Sequence, residues 1–184
     1  MGTASLEQAF ASTHAVLANI TPEDMDRPTP CASWHVRELV DHIVSSATFF
    51  AVAAEGGDPS ADQAPEGEPL AAYDAGAARA LSAFSADGVM EKVIHLPFGD
   101  LPGSAFLWIA TGDTFTHGWD LAKATGQSTD LDPALAGELL TQLRPMLPDG
   151  MRGPDGQAPF GPEVTVDESA PAADRLAGFL GRQP

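Results

Sequence analysis

The sequence predicts an all-α protein: a helical bundle with short irregular or β additions and a closing C-terminal helix. Two observations carry this. Apolar residues recur at spacings of three and four over most of the chain, the pattern of helices that bury one face. Only two short stretches, 93–97 and 163–166, read as strands. At 184 residues with 43% hydrophobic content, the chain can build a core without disulfide staples and reads as one domain over 1–184.

The first helix is expected over 4–19, with Leu6, Ala9, Phe10, Thr13, Val16 and Leu17 on one face and Ile20 just beyond. His14 falls beside that face and reads as a satisfied or solvent-exposed histidine. TPEDMDRPTPCAS follows as a linker whose three prolines oppose regular helix. Ser33 is a suitable N-cap for a second helix over 34–54, with Val36, Leu39, Val40, Ile43, Ala47 and Phe50 inward. His42 lies on the shoulder of that stripe. His35, seven residues earlier, stands about 10 Å away along the axis, so one metal ion cannot take both. Arg37, in the first turn, reads as the partner of an acid.

Residues 55–69 form an acidic, Gly/Pro-rich loop, and a third helix over 69–85 is carried by Leu70, Tyr73, Ala77, Ala80, Leu81 and Phe84. VIHLP at 93–97 reads as a short strand with His95 an ordinary strand histidine, and PFGDLPG reads as a turn. The central helix, 104–125, is apolar nearly all round, as expected of one buried in the middle of a domain. Gly126 stops it. Asp132-Pro133 opens a helix over 133–144, and a last helix over 172–181 packs through Leu176, Phe179 and Leu180.

On the central helix Asp113, His117 and Asp120 follow at intervals of four and three, hence on one face, one turn apart. A carboxylate and an imidazole aimed into an apolar interior need a partner, and a bound cation is one. His42 with Asp113 and His117 makes a three-ligand set suited to zinc, with nickel and iron as alternatives. Three protein ligands leave a coordination position open, the catalytic pattern. Asp120 is placed to orient a ligand from behind. From the residues alone, an Asp–His hydrogen bond bridging two helices explains the spacing equally well. Cys31, with His35 four residues on, lacks any base-orienting motif and reads as a packing residue. Trp34 and Trp119 read as core or pocket wall.

The charge, 9 − 26 = −17, repels phosphate backbones and anionic membranes, which argues against nucleic-acid binding. One cysteine leaves no internal disulfide and fits a reducing compartment. The N-terminal residues show no secretory signal, and no apolar run approaches the roughly 20 residues of a membrane span. The expected location is the cytoplasm.

The segments TPCASWHVRELVDHIV, PFGDLPGSA, DTFTHGWDLAKATGQ and APAADRLAGFLGRQP together resemble the DinB/YfiT-like superfamily of metalloenzymes, in the branch containing mycothiol-dependent maleylpyruvate isomerase. The resemblance spans nearly the whole chain. It implies a DinB-like four-helix bundle whose divalent metal is held by a histidine of the second helix and an acid-x-x-x-histidine pair of a later one, positions matched by His42, Asp113 and His117. The family isomerase has glutamate where Asp113 stands and a larger C-terminal domain that helps bind substrate, so metal binding transfers better than substrate. The implied function is a zinc-dependent S-transferase or isomerase that uses a low-molecular-weight thiol such as mycothiol on a small electrophilic substrate. Two other readings keep the site: a hydrolase with metal-activated water, or a non-catalytic metal- or ligand-binding bundle. A homodimer is compatible with each.

Overall fold

The computed structural model describes residues 3–59, 67–154, 157–158 and 160–184. Six α-helices dominate: α1 Ala4–Leu17, α2 Val36–Glu55, α3 Pro69–Phe84, α4 Gly103–Thr125, α5 Pro133–Leu143 and α6 Ala172–Phe179. A two-stranded antiparallel hairpin, β1 Val93–Leu96 with β2 Gly99–Pro102, stands between α3 and α4. The fold is all-α with minor additions, as the periodicity predicts.

Helix α4 is the hub because its apolar residues point to both sides. On one side Phe106 meets Phe49, Phe50 and Phe84, within a core that also takes in Leu6, Leu39, Ile43 and Tyr73 from α1, α2 and α3. On the other, Trp108, Phe115 and Trp119 pack with Leu135 and Leu139 of α5 and Leu176 and Phe179 of α6. Sixteen of its 23 residues are buried, which explains why a helix with so little amphipathic bias is stable here. Gly118 lets α1 approach closely, since a Cβ there would run into Thr13 Oγ1. The left-handed Gly126 (φ 73°) ends α4 with its N–H on carbonyls of the last turn.

Helices α2 and α4 run antiparallel along their seam. Phe49 and Phe50 of α2 meet Phe106 near the start of α4, and His42, two turns earlier on α2, meets Asp113 further along α4. This pairing sets the site.

Four local expectations are corrected. Helix α2 begins at Val36, not 34, and His35 rather than Ser33 is its N-cap, with Glu38 Oε2 accepting the His35 N–H at 2.9 Å. The linker folds back over the start of α2, where Val36 and Arg37 donate their N–H groups to the Arg27 and Met25 carbonyls, so capping is decided by this tertiary bracing. PFGDLPG is not wholly a turn. Only Pro97 and Phe98 turn, and Gly99–Pro102 pairs with Val93–Leu96 as a second strand. Residues 163–166 form no strand; Val164 donates its N–H to Gly178 O, and the segment lies extended along α6, where Gly178 has no Cβ to obstruct Val166. Residues 60–66 of the 55–69 loop lie outside the described residues. Among the described residues no helix is long and apolar enough to cross a membrane.

Candidate metal centre

Three side chains from two helices converge at the α2–α4 seam. His42 Nε2 lies 3.7 Å from Asp113 Oδ1, and His117 Nε2 lies 3.5 Å from the same oxygen. The two imidazoles meet edge to face, ring centres 4.6 Å apart. One donor atom from each of His42, Asp113 and His117 falls within 4.8 Å of the other two. The separations are informative. Hydrogen bonds between these groups would close to about 2.7–3.2 Å, whereas ligand atoms about 2.0–2.2 Å from a tetrahedral ion stand about 3.3–3.6 Å apart. The 3.5 Å separation falls in that range and the 3.7 Å one just beyond it, and two imidazoles with one carboxylate are a suitable donor set for zinc.

The site is partly open to solvent at His42 and Asp113. The His42 and Asp113 side chains are 30% and 29% exposed, while His117 is 11% exposed. Trp34 forms a wall, its ring 4.7 Å from that of His42 and 5.8 Å from that of His117. Ser46, one turn after His42 on α2, brings its Oγ to 3.3 Å from His42 Nε2.

Behind His117 lies a closed polar layer. Asp120 is fully buried, and its Oδ2 stands 3.0 Å from His117 Nδ1, which leaves Nε2 of that ring facing Asp113. Arg182, just beyond α6, forks onto both Asp120 oxygens, Nε to Oδ1 at 3.2 Å and Nη2 to Oδ2 at 3.0 Å. The Cys31 thiol donates to Asp120 Oδ2 at 3.4 Å and lies 3.7 Å from Arg182 Nη2.

The charges fit this packing. Burial pushes the Asp113 carboxyl up, but the His117 and His42 imidazoles beside it outweigh that and hold the group well below the carboxylate range. Burial likewise opposes ionisation of Asp120, yet the Arg182 and His117 charges hold its carboxyl below 3.8. For His117, burial disfavours the cation, but Asp113 and the hydrogen bonds of Asp120 and Cys31 raise the imidazole well above 6.5.

The structure thus brings His42, Asp113, His117 and Asp120 together. Reasoning from the sequence missed Arg182 and gave Cys31 only a packing role; Cys31 is instead hydrogen-bonded into the layer behind His117. Arg182 and Cys31 lie 62 and 89 residues from Asp120, so no local spacing signals either. The remaining histidines stand apart. His35 is exposed beside Glu38, His14 pairs with Asp74 at 2.7 Å, and His95 pairs with Asp100 at 2.9 Å on the hairpin. Arg37 pairs with Asp26, as expected.

The mycothiol maleylpyruvate isomerase N-terminal domain family matches residues 6–122. The chain belongs to this family. Its match runs from α1 to near the end of α4 and contains His42, Asp113, His117 and Asp120, while α5, α6 and Arg182 lie beyond it. Two uncharacterized proteins of Mycobacterium tuberculosis, from two strains, are each 42% identical over 177 residues, covering 96% of this chain and 93% of the relative. No solved structure matches.

Proposed function

We propose that this protein is a divalent-metal enzyme, with zinc the best fit, that uses a low-molecular-weight thiol such as mycothiol as an S-transferase or isomerase on a small electrophile. His42, Asp113 and His117 hold the metal through Nε2, a carboxylate oxygen and Nε2. The observation that carries this reading is the pair of 3.5 and 3.7 Å separations converging on Asp113 Oδ1, longer than good hydrogen bonds and close to the spacing of ligands about one ion. A cation held by three protein groups keeps a position open, where it lowers the pKa of a thiol and supplies a nucleophile at neutral pH. The family supports the thiol.

The protein's own groups do the rest. Asp120 accepts from His117 Nδ1, fixing the tautomer whose Nε2 lone pair faces the metal. Arg182 neutralises Asp120, so that buried carboxylate does not compete as a second anion. Trp34 covers the two imidazoles and excludes water from one side. The exposed flank of His42 and Asp113 is the approach for thiol and substrate.

The test is elemental mass spectrometry on protein purified without a histidine tag, with His42→Ala and His117→Ala beside it, followed by turnover of electrophiles with small thiols. About one ion per chain, lost in both variants without loss of helical content, together with thiol-dependent turnover, is expected. No ion and no uptake of zinc or nickel by the folded protein would leave His42, Asp113 and His117 as an interhelical polar cluster.

A further inference from the structure

We infer that Ser46 supplies the hydrogen bond that selects and holds the anion at the open position of the metal centre; the inference rests on the metal reading above. Ser46 is the side chain next to His42 on the open flank. It sits one turn further along α2, is partly exposed, and its Oγ is 3.3 Å from His42 Nε2, the atom that faces Asp113. That contact is unusual for a helical serine. Serine in a helix commonly bonds back to the carbonyl one turn earlier, and Ser45 does so with the carbonyls of Asp41 and His42. Ser46 instead turns its hydroxyl onto the imidazole.

A ring nitrogen has one lone pair. Once Nε2 gives it to a cation, the hydrogen bond with Ser46 is lost whichever atom was the donor, and the hydroxyl must find another acceptor or stay unpaired beside a charged centre. The Cβ of Ser46 is fixed by the helix, so its Oγ remains close to the ligand shell. The nearby groups limit its choices. Asp113 Oδ1 lies near both histidines, the Trp34 ring stands beside both imidazoles, and Asp120 is buried behind His117. Two acceptors remain: the His42 carbonyl one turn earlier, which would draw the hydroxyl away from the centre, and the anion that would fill the open position on the exposed flank, which alone keeps it there. Ser46 therefore exchanges one acceptor for another as the centre loads, and its hydroxyl favours a compact anion such as a thiolate over a bulky neutral ligand. No proton leaves Ser46 in this exchange; the hydroxyl only rotates.

The experiment uses the full-length protein loaded with cobalt(II), and variants Ser46→Ala and Ser46→Thr. Three quantities are read: cobalt per chain, the dissociation constant of 2-mercaptoethanol from the sulfur-to-cobalt absorption band, and the position of that band. Ser46→Ala should hold cobalt as the parent does, bind the thiol about tenfold more weakly, equivalent to about 1.4 kcal/mol, and shift the band. Ser46→Thr, which keeps the hydroxyl, should restore most of the affinity. Parent-like thiol affinity and band position in Ser46→Ala would overturn the inference and leave the metal site standing. Loss of cobalt from Ser46→Ala would overturn it too, making Ser46 a support for His42. A parent protein that takes up no cobalt would overturn the metal reading itself.

Discussion

Replacing Arg182 by Met is the sharpest test of the layer behind the centre. Asp120 is fully buried, and Arg182 is 11% exposed and forks onto both carboxylate oxygens. Methionine keeps much of the apolar stem and removes the charge and the fork. Breaking a buried ion pair at one partner costs about 3–5 kcal/mol, because the remaining charge is left uncompensated. Here Asp120 keeps the hydrogen bonds of His117 and Cys31, so the lower end, about 3 kcal/mol, is expected. At this chain length 1 kcal/mol moves the melting temperature by about 2–4 °C, giving a fall of about 6–12 °C at pH 7. The pH dependence has a definite sign. In the parent the Asp120 carboxyl is held below 3.8, so its stabilisation is present above that pH and is lost as pH falls through the folded value. In Arg182→Met the carboxyl rises, and the gap between variant and parent should narrow on acidification. Adding Asp120→Asn should recover part of the loss by removing the orphaned charge. The assay is thermal unfolding followed by circular dichroism from pH 7 downward. A melting temperature within about 1 °C of the parent, or a double variant no more stable than Arg182→Met alone, would refute the argument.

Three further outcomes are expected. Asp120→Asn should weaken zinc affinity about 10–100-fold, measured by competition with a chromophoric chelator, while about one ion still binds at saturation. Tyr73→Phe should lose about 1 kcal/mol at pH 7, because the buried Tyr73 hydroxyl donates to Phe10 O at 3.3 Å. Burial raises the Tyr73 phenol far above 10, so its stabilisation is present below pH 10 and falls as pH rises beyond it; urea unfolding at pH 10–11 should show that decline in the parent and less of it in Tyr73→Phe. Gly118→Ala should cost about 1–3 kcal/mol in urea unfolding, since the new methyl meets Thr13, and Thr13→Ala in the same chain should return part of it.

The helices were legible because each carries its own evidence. The three-and-four spacing of Val36, Val40, Ile43, Ala47 and Phe50 can only be buried as a helix, and the continuous apolarity of 104–125 marks α4 as central. Asp113, His117 and Asp120 were legible for the same reason: helical geometry puts residues three and four apart on one face without help from the rest of the chain. Caps and short strands were not. His35 replaces Ser33 as N-cap because the linker braces α2 through Arg27 and Met25, and Gly99–Pro102 becomes a strand because Val93–Leu96 lies beside it.

What the sequence alone determined is the periodic part: the bundle, its central helix, and the line of polar groups on one face of α4. The tertiary structure decided which groups meet that line. It set His42 opposite Asp113 by packing α2 antiparallel to α4, brought Arg182 from beyond α6 and Cys31 from the linker onto Asp120, and left Ser46 beside the open flank. The reason is range. Helical periodicity acts over four residues, whereas the partners of a buried carboxylate are chosen by chain packing, and only the folded state reveals which distant side chain satisfies it.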